Sequence, residues 1–406
     1  MYNQNMERGD LPENDHRSLG QKLGLFSFED IAPGAPFWHP KGMVIVKELE
    51  KYIRKLQDDN GYVEISTPIM VKKKLFEKSG HWEFYKDDMF RLKVAREEYA
   101  LKPMNCPEAT LVYANTKRSY RDLPLRLAEI GRLHRNELSG VLGGLFRVRQ
   151  ITMDDAHIYC RPDQVKSELV IILKMIQEFY KKLELPVTYG LATRPKKALG
   201  GLKIWKTAEK VLAEALKEVG LPYQTLKGEG AFYAPKIHFD IKDSLGRVWT
   251  IATAQLDLQM PERFKLEYTA ENGQAERPAM IHRAIFGSFE RFIGILLEHF
   301  NGALPLWLAP IQIGVLTINN DVGSYAKSIE GKLRDNNYRV LLDDHNETIG
   351  KKIREAELQK IPYILIVGGK ELNAKTVAVR ERGKGDIGTM NLDKFINIIE
   401  QLKQPL

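Results

Sequence analysis

The chain has 406 residues, 43% hydrophobic and 28% charged, the balance of a soluble globular protein of two or three domains. Its 2 cysteines rule out a disulfide framework and point to a reducing compartment. No apolar run approaches the roughly 20 residues that span a bilayer, and "MYNQNMERGDLPEND" has no apolar signal core, so a cytoplasmic protein with no membrane contact is expected. The net charge of +8 suits a polyanionic partner such as nucleic acid without requiring one.

In chain order, residues 1–20 are polar and read as a loose segment. "IAPGAPFWHPKG" is rich in glycine and proline and reads as loop. Val46, Leu49, Ile53 and Leu56 share one stripe of a helix that "DDNG" stops. In "YVEISTPIM", Tyr62, Val63 and Ile65 read as a strand whose far end Pro68 weakens. The middle region pairs neighbouring strands ("HIYC", "KIHFDIKD", "RVWTIATAQLDL") with helices such as "VKSELVIILKMIQEFYKKL", which predicts an antiparallel sheet with helices packed outside it. The pattern changes at "LPLWLAP". Beyond it strand and helix alternate: "IQIGVLTI", "YAKSIEGKLRDN", "RVLLD", "ETIGKKIREAEL", "YILIVGG", then "TVAVRER" and a last helix, "LDKFINIIEQL". This predicts a βαβ-type unit and a boundary near residue 308.

Three groups of residues could carry chemistry. Arg135 and Glu137 stand two apart in "EIGRLHRNE"; on a strand they share a face, a cation beside an acceptor that suits a nucleotide, although a surface ion pair has the same spacing. A strand over Met280 to Ile285 runs through Gly287 and Ser288 into a helix whose first turn holds Arg291. A cation there opposes the helix dipole and suits a phosphate chain, or else it pairs with Glu290. The third group is Cys106 in "KPMNCPEAT", His157 in "DDAHIYC" and His282 in "MIHRAIF". No short metal motif joins them, and spacing alone leaves core packing as the alternative. Cys160 reads as packing.

"YRDLPLRLAEIGRLHRNELSG…GLFRVRQITMDDAHIYC" resembles the second motif of class II aminoacyl-tRNA synthetases, "GSFERFIGIL" the third, and "ELEKYIRKLQDDNGYVEISTPIM" the first, which builds the dimer interface in that class. "KSGHWEFYKDDMF", "KPMNCP", "GEGAFYAPKIHF" and "MIHRA" narrow the resemblance to the threonyl-tRNA synthetases, from about residue 15 to the C-terminus. The resemblance implies an α/β chain in which an α+β catalytic domain over 21–307, an antiparallel sheet flanked by helices, precedes an α/β mixed-sheet anticodon-binding domain over 308–406. It also implies ligation of L-threonine to tRNA(Thr) through threonyl-adenylate by a homodimer, with ATP and Mg2+. One Zn2+ per subunit would be held by Cys106, His157 and His282. Three protein ligands leave an open position, as at catalytic zinc. An oxygen-demanding metal rejects valine, which an apolar pocket discriminates poorly, but not serine.

By motif position Arg135 would hold the α-phosphate, Glu137 the adenine amino group, and Arg147 and Arg291 the outer phosphates, Arg291 also covering adenine. Lys236 lies toward the phosphate, Asp155 would orient the threonine hydroxyl, and Tyr233 and Gln255 would line the amino-acid side, with Gln255 also on the ATP side. His81 corresponds to a histidine implicated in transfer to tRNA, where a neutral imidazole suits a proton carrier. Asn346, Arg354, Lys360, Glu371 and Arg380 match anticodon-reading positions.

The chain departs from the pattern at Ile151, where phenylalanine usually stacks on adenine, at Met153, Thr250 and Ile251, and at Glu108 and Ala109 just past Cys106. It begins almost at the catalytic core, so the N-terminal domains of many relatives, including one that hydrolyses seryl-tRNA, are expected to be absent. A non-charging paralogue that binds tRNA or amino acid is the alternative on the same fold. Retention of Arg135, Arg291 and the three zinc-site residues speaks against it.

Overall fold

The computed structural model of the chain describes residues 11–243 and 245–403, which fall into two compact units. The first comprises Asp30–Ala35 and Ile53–Phe292; the second comprises residues 11–29, Pro36–Tyr52 and the chain from Ile293 on.

The first unit is built on an eight-stranded sheet. Its strands are β1 Val63–Glu64, β2 Leu125–His134, β3 Gln150–Cys160, β4 Thr188–Ala192, β5 Tyr223–Leu226, β6 Lys236–Lys242, β7 Val248–Asp257 and β8 Ala279–Ser288, in the spatial order β5-β4-β6-β7-β8-β3-β2-β1. Every contact from β4 across to β2 is antiparallel, as the sequence predicts. The two edge contacts, β5 on β4 and β1 on β2, are parallel. Parallel neighbours need a long crossover. Helix α3 (Leu202–Val219) provides it between β4 and β5, and residues 65–124 provide it between β1 and β2. Helix α1 (Cys106–Ala114) precedes β2, and α2 (Val165–Lys182) follows β3. Leu169, Ile172, Leu173, Ile176 and Tyr180 form the buried stripe of α2, and the Tyr180 hydroxyl donates to the Ile285 carbonyl at 2.8 Å. Helix α4 (Phe289–His299) continues directly from β8.

A buried ion pair fastens the entry to this sheet. Lys102 and Glu129 are 1% and 3% exposed, and Lys102 Nζ donates to Glu129 Oε1 at 2.9 Å and to Thr67 Oγ1 at 2.7 Å. The Thr67 N–H donates to the same carboxylate at 2.8 Å. Three separated stretches of chain thereby share one fully satisfied polar cluster.

The second unit holds a five-stranded mixed sheet. Strands β9 Ile313–Thr317, β10 Val340–Asp343 and β11 Tyr363–Val367 run parallel, and β12 Val377–Glu381 and β13 Gly385–Met390 extend it antiparallel, in the order β10-β9-β11-β12-β13. Helices α5 (Gly323–Asp335), α6 (Ile349–Leu358), α7 (Gly369–Ala374) and α8 (Leu392–Glu400) complete it. Ile313, Val315, Leu365 and Val367 pack with Ile329, Leu333, Phe395 and Ile399, while Leu316 and Ile364 pack with Ala356 and Ile361. The sheet is therefore covered on both faces, as parallel strands require.

Four readings need correction. Of the segment expected to be loose, residues 1–10 lie outside the described residues, but a helix spans His16–Leu23, because the Asp15 side chain caps it by accepting the Arg17 N–H and His16 is tied to Glu298 at 2.8 Å. The stretch read as loop contains the strand Pro36–Trp38, paired with Phe26–Phe28, and the long helix begins there at Pro40, where a fixed φ and a missing N–H cost nothing. The strand read in "YVEISTPIM" is only Val63–Glu64; Met70–Lys72 joins a separate three-stranded sheet. β13 and α7 have no counterpart among the sequence-based elements, since glycines interrupt the alternation of "KGDIGTM" and α7 is a helix of 6 residues.

Removing the ammonium of the buried cluster strands a carboxylate in the interior. Lys102→Met is expected to lower the unfolding free energy by about 3–5 kcal/mol in a denaturant titration. Adding Glu129→Leu should recover most of that loss.

Candidate active site

The register of the first sheet aligns distant residues. His157 stands opposite His282, His282 opposite Gln255, and Gln255 opposite Lys236. Directly opposed residues share a face, so these four side chains form one row across β3, β8, β7 and β6. They line a cavity of about 400 Å³ together with Arg135, Asp155, Tyr233, Arg291 and Cys106.

At one end lies the sulfur. Cys106 is the first residue of α1 and Pro107 the second, so the proline sets a helix start rather than a loop. A ligand atom each from Cys106, His157 and His282 come within 4.8 Å of one another. His157 Nε2 is buried without a hydrogen-bond partner, and His282 Nε2 contacts Asp257 Oδ2 at 3.0 Å. An imidazole oriented by a carboxylate beside an orphaned imidazole nitrogen and a thiol is a donor set that fits a tetrahedral Zn2+ with one side open. Without a metal, burial holds the Cys106 thiol well above its usual range, helped by Asp155, and holds His157 neutral.

Asp155 enters the same space. Asn105 Nδ2 donates to Asp155 Oδ2 at 3.1 Å, and that oxygen lies 3.8 Å from His157 Nε2. Asn105 itself leans on Gly131, where a Cβ would meet Asn105 Oδ1 at 2.3 Å. The Tyr233 hydroxyl donates to Gln255 Oε1 at 3.0 Å, and its ring centroid lies 5.0 Å from that of His282.

The other end is cationic. Arg291 is held by in-plane donation to two carbonyls, Nε to Phe146 O at 3.1 Å and Nη1 to Thr250 O at 3.0 Å, with its guanidinium over the Trp249 ring at 5.1 Å. Burial, then repulsion from Arg135 and Arg147, pushes Arg291 down to about 10. Guanidinium groups that repel one another in a buried cleft are what a polyanion would relieve. Arg135 lies just beyond the end of β2 rather than on the strand: its N–H still reaches the Arg149 carbonyl opposite, but the Arg149 N–H goes to Gly34 O instead of returning the bond, and Arg135 Nε donates to Pro103 O at 3.2 Å. Glu137 is off the strand as well. It accepts from Arg147 Nε at 3.0 Å, and neither of these two lines the cavity. Glu290 does not pair with Arg291; its carboxylate accepts from Thr152 N at 3.0 Å and Ser288 Oγ at 2.8 Å. Burial lowers Lys236 as well.

His81 sits behind the cavity wall. It is fully buried, with Nδ1 at 2.9 Å from Ser79 Oγ and Nε2 at 3.3 Å from Met104 Sδ, and burial drives it down to about 3, so it stays neutral. Ile151, Met153, Thr250 and Ile251 all line the cavity. Glu108 is buried with both carboxylate oxygens unpartnered, and burial pushes it up to about 8. Ala109 and Cys160 are fully buried, and Cys160 is absent from the cavity lining.

In the second unit, Lys360 and Arg380 line a separate cavity of about 330 Å³ with Glu357, whose carboxylate lies 3.6 Å from Arg380. Asn346 and Arg354 are exposed on and before α6, outside that cavity. Glu371 also stands apart: its carboxylate accepts the Gly368 N–H at 2.9 Å as part of the α7 cap.

Sequence reasoning passed over Trp249 behind Arg291, and a polar group beside Lys236 in which the Thr250 hydroxyl donates to Asp240 Oδ1 at 2.6 Å and lies 3.4 Å from His238 Nδ1. The available signal was the run of polar residues at alternate positions of β6, Lys236, His238 and Asp240.

The tRNA synthetase class II core domain (G, H, P, S and T) matches residues 90–300, and the anticodon binding domain matches residues 312–402. The threonine–tRNA ligase of Carboxydothermus hydrogenoformans is 53% identical over 384 residues, and that of Caldanaerobacter subterraneus 52% over 387. Each alignment covers 95% of this chain, and the chain spans only 61% and 60% of the length of those relatives. The solved RNA binding domain of threonyl-tRNA synthetase from Cryptosporidium parvum Iowa II superposes with a TM-score of 0.92 at 40% identity, covering 96% of this chain and 98% of that one. The chain belongs to the class II tRNA synthetases, among the threonyl-tRNA synthetases.

His238 yields a pH prediction. It is 6% exposed, and burial followed by Lys236 moves its pKa from 6.5 to about 4. Between those values the unfolded chain binds a proton that the folded chain refuses. Stability is therefore lost as pH falls through this window, by up to about 3 kcal/mol from this residue. His238→Gln should flatten that part of a plot of denaturant midpoint against pH; an unchanged acid slope would contradict the assignment.

Proposed function

We propose that this class II synthetase chain is a threonine–tRNA ligase. It joins the L-threonine carboxylate to the α-phosphorus of ATP with loss of pyrophosphate, then passes the threonyl group from the adenylate to a hydroxyl at the 3′ end of tRNA(Thr) with loss of AMP. The observation that carries the reading is one cavity with the Cys106, His157 and His282 group at one end and Arg135, Lys236 and Arg291 at the other.

Zn2+, when bound by Cys106, His157 and His282, supplies a Lewis-acid position for the threonine amino and hydroxyl groups, which valine cannot match. Asp155, fixed by Asn105, accepts a hydrogen bond from the threonine hydroxyl. Tyr233 and Gln255, already bonded to each other, close the amino-acid side. Arg135 holds the α-phosphate, and Arg291 takes the outer phosphates and covers adenine. Their fixed charges oppose the negative charge that grows as pyrophosphate leaves, with Mg2+ sharing that task. Lys236 stands toward the phosphates and Gln255 toward the nucleotide. Glu137 and Arg147 act from the rim once ATP separates their ion pair, Glu137 on the adenine amino group and Arg147 on the outer phosphates. His81, neutral by burial, serves transfer to tRNA by way of the wall it supports.

The second unit reads the anticodon through Asn346, Arg354, Lys360, Glu371 and Arg380; the paired Lys360 and Arg380 in one cavity give this its main support. Matched regions ending at 300 and beginning at 312 support a functional boundary near 308. A homodimer built on the β1 edge is supported by the exposure of Val63, 52%, on that edge strand. Among the described residues no helix is long and apolar enough to cross a membrane, in keeping with a cytoplasmic enzyme.

Threonine-dependent ATP–pyrophosphate exchange tests the reading, and a zinc-loaded chain that shows no exchange would refute it. Cys106→Ala is expected to abolish zinc binding, measured by elemental mass spectrometry, and to reduce exchange by roughly 10²-fold or more. Cys160→Ala should leave both unchanged.

A further inference from the structure

The β3–β8 pairing breaks at one place. Ala284 stands opposite Asp155 and Ser288 opposite Met153, so Ile285, Phe286 and Gly287 all face the single residue Asp154. This is a bulge in a strand whose first nine residues are all buried, and its extra amides lose their ladder partners. A buried N–H without an acceptor is costly. The Asp154 carboxylate accepts all three, from Ile285 N at 2.9 Å, Phe286 N at 3.3 Å and Gly287 N at 2.7 Å. Asp154 is itself 0% exposed, and its counter-charge is the equally buried Arg283, with Nη1 at 3.7 Å and the guanidinium over the Tyr62 ring at 4.6 Å.

The bulge dictates the path of the chain into α4. Gly287 adopts φ +68°, and a Cβ there would meet the Ile251 carbonyl at 2.7 Å, so the chain passes this point in one conformation open to glycine alone. Ser288 comes next, and its Oγ accepts the Arg291 N–H at 3.2 Å. The first turn of α4, which aims the Arg291 side chain into the cavity, is thus anchored through the bulge to Asp154.

We propose that Asp154 is a positioning residue for Arg291: by gathering three backbone amides on the back of the sheet, it fixes the turn that presents the guanidinium on the front. The inference rests on the reading of the cavity as an ATP site. It predicts an effect that falls first on the nucleotide: His157 and His282 pair with each other away from the bulge, and the Asp155 carboxylate, although its residue flanks the bulge, is held by Asn105.

The test uses the full chain loaded with zinc. Asp154→Asn keeps the shape but turns an N–H donor toward amides that need acceptors. The expected result is a rise of roughly 10–100-fold in the KM for ATP in pyrophosphate exchange, with the KM for threonine and the zinc content unchanged. In the double variant Asp154→Asn/Arg291→Ala, the loss should equal that of Arg291→Ala alone. Additive losses, equal losses for ATP and threonine, or an unchanged KM for ATP in a folded variant would each overturn the proposal. Should Asp154→Asn not fold, Gly287→Ala strains the same turn and is judged by the same criteria. Direct titration of ATP onto the parent and variant proteins, read by calorimetry, separates the two ideas. ATP affinity that falls in the variant while the parent shows no exchange would retain Asp154 and refute the ligase reading.

Discussion

Cross-strand register is the constraint on which the site depends. His157, His282, Gln255 and Lys236 come from four strands whose positions span much of the first unit, yet they fall in one row. Side chains alternate along a strand, so a slip of one residue in any of these pairings would send a member of the row through to the other face. The pairing is held by burial on both sides. β8 has nine buried residues in its ten, and α2 seals the back through its apolar stripe and the Tyr180 hydrogen bond.

The second determinant is electrostatic. Low-dielectric surroundings keep His157 neutral and the Cys106 thiol reluctant to ionise, while burial of Arg291 sharpens its repulsion from Arg135 and Arg147. A chain that has only to fold gains nothing from such an arrangement. It resembles a set of incomplete contacts, soft donors at one end and cations at the other, that ligands complete. By contrast, the Lys102–Glu129–Thr67 cluster is fully satisfied internally and has no work to do beyond holding chain segments together.

Much of the architecture is legible in the sequence. The stripes of the helices over Pro40–Asp59 and Val165–Lys182 have the helical period, and the alternation beyond residue 308 announces a parallel sheet with covering helices. What escapes is structure fixed by single contacts. Asp15 capping a helix, Pro40 starting one and the Arg149 amide leaving the ladder for Gly34 leave no periodic trace. The site is harder. Nothing in spacing joins Cys106 to His157, 51 positions later, or His157 to His282, 125 positions later again; only the resemblance to known motifs joins all three, and the fold then supplies the register that explains it. Asp154 and Arg283 are hidden differently. Each is the neighbour of a residue that attracts attention, and an alternating strand sends it to the opposite face. The visible clue is a pair of adjacent acids, "DD", in a strand otherwise destined for the interior.

The contact between Gly131 and Asn105 has a consequence for anyone who would remodel this pocket. Asn105 fixes Asp155, and the hydrogen at position 131 is the space into which its amide fits. Position 131 is therefore a fixed point in the combinatorial space of the site. A library that diversifies the cavity-lining positions 151, 153 and 251 while holding 131 as glycine samples new preferences on an intact frame, whereas one that also varies 131 spends most of its members on pockets whose carboxylate has lost its bearing.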